Sequence, residues 1–202
     1  MFSYLYIDSG AMYRAVTLYF MRNHITLTNP KEVDKALKNL AIDFHLDSEG
    51  SPVTYLNGLN VEKEIREMEV TQQVSEVSAI PAVREYLVKQ QRSLGRGKGV
   101  VMDGRDIGSV VFQEAELKIF MTADFNVRAV RRQKELIDKD TVINLAVVKQ
   151  NLEHRDLLDS TREVSPLVQD AEAIVINNTF MTFDEQVDEV VQLATSKIVE
   201  EV

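Results

Sequence analysis

Four short apolar runs, SYLYIDS at 3–9, VVMDG at 100–104, LKIFMTA at 117–123 and AIVINN at 173–178, are separated by segments of helical periodicity. Runs of this length suit strands buried on both faces of a parallel sheet. Parallel neighbours cannot be joined by a tight turn and need a crossover, usually a helix. The alternation therefore predicts a doubly wound α/β fold, in which ligands sit beyond the carboxyl ends of the strands. The polar residues at those ends become the candidates for function.

The segments between the runs fit this plan. Ser9-Gly10 is expected to close the first strand in a tight turn, and GAMYRAVTLYFMRNH places Ala11, Ala15 and Leu18 on helical spacing. A second helix is predicted after Asn29-Pro30, with Val33, Ala36, Leu37 and Leu40 as its apolar stripe. IDFHL, VTYLNG and LNV over 42–61, separated by DSEGSP, read as short antiparallel strands. Helices are predicted over 69–78, from Pro81 to Leu94, after a cap at Asp124, over 141–155 and from Thr182 onward.

Composition narrows the function. A net charge of −9 opposes nonspecific binding to nucleic acid, so no nucleic-acid partner is expected. No apolar run approaches the roughly 20 residues that span a bilayer, and MFSYLYIDSG lacks a basic leader, so no membrane partner is expected either. The absence of cysteine excludes disulfides and thiolate chemistry and fits a reducing, cytoplasmic setting. Seven of the 12 arginines, at 14, 84, 105, 131, 132, 155 and 162, fall in motif-like segments, as expected for a small anionic ligand.

Three groups carry candidate chemistry. Asp8-Ser9-Gly10 with Tyr13 and Arg14 follows the first strand, and Asp103-Gly104-Arg105-Asp106 follows the second. Arg14 and Arg105 could meet one anion above the sheet, or could be surface arginines capping carboxylates. Asp103 could organise a metal or simply form a turn. The third group, HRDLLDSTRE, holds Arg155, Asp156, Asp159 and Arg162, and reads either as a solvated helix end or as a lid closing arginines over phosphates. No G-x-S-x-G elbow supports a serine hydrolase.

DSGAMYR at 8–14, PAVREYLVKQQR at 81–92, DGRDIGSVVF at 103–112 and RD-x-x-D-S-T-R-x-x-S-P-L at 155–167 together closely resemble the cytidylate kinase family, in order and in spacing. The resemblance implies a P-loop nucleoside-monophosphate-kinase-like parallel sheet with flanking helices, belonging to a monomeric cytoplasmic enzyme that phosphorylates CMP or dCMP from ATP with Mg2+. Within the single domain, 1–38, 96–130 and 163–202 would form the core, 39–95 a small α+β monophosphate lobe and 131–162 a helical lid.

Carried over by position, the resemblance has Arg14, Arg105 and Arg162 bind the monophosphate, with Ser9 in the same substrate site. Ser75, Arg84 and Asp106 would read cytosine, and Arg155 and Asp159 would contact the sugar. Arg105, Arg155, Arg162 and Asp103 would serve the transfer itself. Arg131 and Arg132 would meet ATP, and Asp103 would hold Mg2+ through water. Cytosine offers an amine donor, a ring acceptor and a carbonyl, so a carboxylate, a guanidinium and a hydroxyl complement its edge and disfavour uracil.

Two departures accompany the resemblance. Leu158 occupies a position where the family commonly has a lid arginine. The family also has a strand followed by a G-x-x-x-x-G-K-[ST] phosphate loop about 25 residues before DSGAMYR, and no such motif occurs in these 202 residues. The expectation is that the first, central strand and its loop are missing, leaving two neighbouring strands without a partner. Three readings stay open: a piece of a full kinase, a remnant that binds CMP without transferring phosphate, and another phosphate-binding α/β module.

Overall fold

The fold was analysed on a computed structural model that describes residues 4–138 and 141–200. Residues 1–3, 139–140 and 201–202, which include Ser3 of the first predicted strand and part of the expected lid, lie outside these.

Strand β1 (Leu5–Asp8) leads directly into helix α1 (Ser9–Arg22). The expected tight turn at Ser9-Gly10 does not form. Asp8 ends the strand with extended backbone and its carboxylate accepts from the Ala11 N–H at 2.8 Å, so Ser9 and Gly10 begin the helix. Helix α2 (Pro30–Lys38) starts on its first-turn proline, and β2 (Ile42–Leu46), β3 (Pro52–Leu56) and β4 (Leu59–Asn60) form the expected antiparallel sheet.

A 3-10 turn at Glu64–Arg66 precedes α3 (Met68–Ala79) and α4 (Pro81–Leu94). Strand β5 (Val100–Asp103) pairs in parallel with β1, in a register that sets Asp8 against Asp103. A π-helical turn at Ile107–Val111 follows, then β6 (Ile119–Thr122) and α5 (Phe125–Ile137), capped by Asp124. Helix α6 covers Leu145–Thr161, six residues past its predicted end, and β7 (Ile174–Asn177) and α7 (Phe183–Glu200) close the chain. β7 pairs in parallel with β6.

The α/β class and the parallel pairing agree with the sequence reading, but the pairing is not one continuous sheet. Among the described residues, β1 pairs only with β5 and β6 only with β7, with no ladder from β5 to β6. Burial on both faces was expected of these strands. Instead Leu5, Val101, Met121 and Val175 remain 41–49% exposed, because each pair has open edges and only partial cover from helices.

The buried apolar core lies elsewhere, where α1 packs against α3, α4, β3 and the 3-10 turn, and α2 packs against α4. Ala11, Ala15, Val16 and Phe20 pack there with Val33, Leu37, Leu56, Val77, Val83 and Leu87. This core fixes α1 and α4, and those two helices carry Ser9, Arg14 and Arg84 of the site described next.

Candidate anion-binding site

A cleft of about 340 Å³ opens at the carboxyl ends of β1 and β5, within the size range of small-molecule sites. It is walled by the start of α1, by α3 and α4, by the loop after β5 and by α5 and α6. Ser9, Arg14, Ser75, Arg84, Asp103, Arg105, Asp106, Arg132, Arg155, Asp159 and Arg162, drawn from across the sequence, all line it.

Arg131 does not. Its guanidinium binds the Asn178 carbonyl at 2.7 Å and the Asn178 side chain at 3.0 Å, tying α5 to the loop after β7. Successive helical residues point about 100° apart, so Arg132 faces the cleft and pairs with Glu135 at 2.7 Å.

The floor is built by backbone proximity. Ser9 Oγ donates to the Asp103 carbonyl at 2.6 Å, joining α1 to the end of β5. Gly104 permits this approach, since a Cβ there would collide with Ser9 Oγ and come within 2.8 Å of Ile107. Asp8 receives Arg14 at 2.7 Å and, more distantly, Arg66 at 3.5 Å.

One wall is a buried ion pair. Arg84, 1% exposed, donates through Nη2 to Asp106, 4% exposed, and through Nη1 to the Ser78 carbonyl at 3.0 Å. The lid-side arginines are organised by Asp159. One of its oxygens accepts from Arg105 Nε at 3.0 Å and the other from Arg162 Nη1 at 3.1 Å. Arg162 Nε also donates to the Ser165 carbonyl at 2.7 Å, fastening the chain as it leaves α6.

The electrostatics leave a demand for negative charge. Seven arginines and five carboxylates line the cleft, a local excess of two positive charges on a chain of net charge −9. Burial, and after it the nearby Arg105, hold the Arg155 pKa below its ordinary value; burial and Arg84 do the same to Arg162. Arginine stays protonated in proteins, so a bound anion, and not loss of the proton, would offset this cost. Arg14 Nε, Arg84 Nε and Arg162 Nη2 are buried with no acceptor. Native structures seldom leave buried donors unpaired, and these three, with the Tyr13 hydroxyl on the same cleft, point to a ligand with acceptor oxygens.

Asp103 is the opposite case. Asp103 keeps contact with solvent, and partial desolvation first, then the charge of Asp8, raise its carboxyl above the ordinary value. Its partner Tyr6, whose hydroxyl donates to it at 3.0 Å, is held protonated far above its usual value by burial and by Asp103. A carboxyl whose folded pKa is raised contributes stability below its unfolded pKa and loses it as pH rises through the folded value. Asp103→Asn, which keeps an acceptor for Tyr6, is therefore expected to be more stable than the parent at pH 7, by under about 1 kcal/mol after solvent screening. The gain should vanish on acidification below about pH 3.9, the unfolded carboxyl value, and urea titrations across that range check it.

Arg66, Thr71, Val74, Ser78, Glu135 and Leu136 also line the cleft, and the sequence does not single them out. Tyr13, grouped with Arg14 in the sequence but given no role there, lines the cleft as well. Arg66 lies in a 3-10 turn outside the four motifs and carries no local signal of its position. A separate hollow on α7, lined by Val191, Gln192, Thr195, Ser196 and Val199, contains no charged side chain and offers nothing to hold an anion.

Comparison with known proteins shows what the chain is similar to. A family model described as cytidylate kinase matches residues 1–196. The cytidylate kinase of Cytophaga hutchinsonii is 53% identical over 198 residues, covering 98% of this chain and 85% of the relative. The cytidylate kinase of Bacteroides fragilis is 49% identical over 187 residues, covering 91% and 82%. That of Flavobacterium psychrophilum is 44% identical over 197 residues, covering 96% and 87%.

Proposed function

We propose, from the premise that this chain belongs to the cytidylate kinase family of nucleoside-monophosphate kinases, that it transfers the γ-phosphoryl group of ATP to CMP or dCMP. The observation that carries the reading is the set of buried arginine donors without acceptors around one cleft, together with its local excess of positive charge.

In this reading an oxygen of the CMP phosphate attacks the γ-phosphorus while the bond to the ADP oxygen breaks, giving CDP and ADP. Such a transfer needs little covalent help from the protein and depends on alignment and on charge stabilisation. Arg14, Arg105 and Arg162 hold the monophosphate oxygens, which suits the arginine fork. Arg132 and Arg155 lie on the lid side and meet the transferring group, whose charge spreads over its oxygens in flight. Arg84, Asp106 and Ser75 present a guanidinium, a carboxylate and a hydroxyl to the cytosine edge, and Asp159 with Arg155 meets the sugar.

Mg2+ binds through one or two carboxylates and phosphate oxygens while keeping several waters, and when bound it neutralises phosphate charge. Asp103 fits such an outer position, since a cation nearby would relieve the raised pKa that partial desolvation and Asp8 impose. Segments 39–95 and 131–162 are proposed to close as lobe and lid, excluding water from the transfer.

The test is to incubate the chain with ATP, Mg2+ and CMP, quantify CDP and ADP by chromatography, and measure CMP and UMP binding by calorimetry. Equimolar CDP and ADP, with CMP bound in preference to UMP, is the expected result. Binding without turnover would reduce the reading to a CMP-binding protein, and a folded chain that does not bind CMP would overturn it.

A further inference from the structure

We infer that the aromatic ring of Tyr13 is a positioning element for base discrimination, holding the Arg84 fork in the orientation that distinguishes cytosine from uracil. This rests on the reading of Arg84 and Asp106 as the base-reading pair.

Tyr13 lies in the second turn of α1, is 8% exposed and lines the cleft. The guanidinium carbon of Arg84 sits 5.2 Å from the centroid of its ring, within the roughly 6 Å over which a ring face attracts a cation. Arg84 is held along one edge, where Nη1 meets the Ser78 carbonyl and Nη2 meets Asp106, while Nε has no acceptor. A planar group bonded along one edge can still rock about it. The Tyr13 ring, with the guanidinium carbon over it at 5.2 Å, attracts the cation and opposes that motion.

The hydroxyl plays no such part. It is buried without a partner, and burial pushes its pKa up to about 12, so it stays neutral. The hydroxyl makes no hydrogen bond to Arg84, so the contact between the two residues is through the ring.

Discrimination between cytosine and uracil depends on the donor and acceptor orientation of Arg84 and Asp106, because the two bases differ at the exocyclic group and the adjacent ring nitrogen. Loosening Arg84 should therefore lower CMP affinity while leaving the weaker UMP binding nearly unchanged.

The experiment measures CMP and UMP dissociation constants by calorimetry for the full chain, Tyr13→Phe and Tyr13→Leu. Tyr13→Leu is expected to shrink the UMP-to-CMP ratio of dissociation constants about tenfold, through CMP alone, and the conservative Tyr13→Phe to restore it. Phenylalanines carrying one to three ring fluorines at position 13 keep the shape while making the face less negative, so they report even if Tyr13→Leu does not fold. CMP affinity should fall stepwise with each fluorine.

A flat fluorine series would reduce Tyr13 to packing. A loss in Tyr13→Phe equal to that in Tyr13→Leu would make the hydroxyl the contact. Either outcome overturns this inference and leaves the functional reading standing, whereas a parent chain that fails to bind CMP overturns both.

Discussion

Replacing Asp106 with alanine is expected to cost the fold about 3–5 kcal/mol and to abolish CMP binding at the same time. The Arg84 guanidinium is 1% exposed and its counterion is Asp106, itself 4% exposed. Asp106→Ala removes the charge that compensates Arg84 but leaves the guanidinium buried. Among the described residues the Ser78 carbonyl and the Tyr13 ring would remain against it, and neither carries a full negative charge.

The informative companion is the double variant Arg84→Met with Asp106→Leu. Replacing both members of a buried ion pair with apolar residues of similar volume is commonly neutral or stabilising, because neither charge then has to leave water. The double variant is expected to match the parent within about 1 kcal/mol, or exceed it, while binding CMP no more tightly than UMP. Urea titrations give the stability and calorimetry the binding. A double variant as unstable as Asp106→Ala would mean that the pair is a structural fastening. Stability without preference for CMP would mean that the pair is kept for recognition.

How far the sequence alone leads can be followed along the site. Strand ends were legible because an apolar run that stops at a charged residue is a local signal, and Asp8 and Asp103 do end paired strands. Helix starts at Pro30, Pro81 and Asp124 were legible for the same reason, since a first-turn proline or a cap acts within a few residues.

Features set by the rest of the fold were not legible. Ser9-Gly10 resembles a turn, and only the Asp8 carboxylate reaching the Ala11 N–H makes it the first turn of α1. The end of α6 was expected at Arg155, where charged residues accumulate. The helix instead continues to Thr161, with the Ser160 and Thr161 hydroxyls donating back to Asp156 and Leu157 carbonyls. Arg131 and Arg132 are neighbours in sequence, and nothing local says which one faces the cleft. The two separate parallel pairs, β1 with β5 and β6 with β7, depend on contacts that no periodicity encodes.

Asp159 shows how a residue's type can be read without its full position. The motif that carries the resemblance implies a sugar contact for it. The structure adds that its two oxygens grip Arg105 and Arg162, so one carboxylate on α6 sets the spacing of two cations. That arrangement makes those arginines unequal. Arg105 is half-exposed and fastened at Nε alone, whereas Arg162 has a nearly buried side chain, two fastened nitrogens and one free buried donor.

Arg162→Ala is accordingly expected to lower kcat/KM for CMP by about 10²–10³, the range for removing one preorganised donor from developing charge. Stability should change little. Burial and the positive charge of Arg84 already make the Arg162 cation costly, and Asp159 keeps Arg105 as its partner after the substitution. Arg162→Lys should recover little of the loss, because an ammonium cannot hold Asp159 and the Ser165 carbonyl while presenting a further donor in the same plane. Thermal unfolding with and without CMP gives a second readout, since a ligand raises the unfolding temperature only where the native state binds it. The parent should gain stability as CMP rises through its dissociation constant, and Arg162→Ala should show that gain only at far higher concentration. Equal CMP-induced shifts with reduced turnover would place Arg162 in the transfer step alone. Equal shifts with undiminished turnover would remove it from the site.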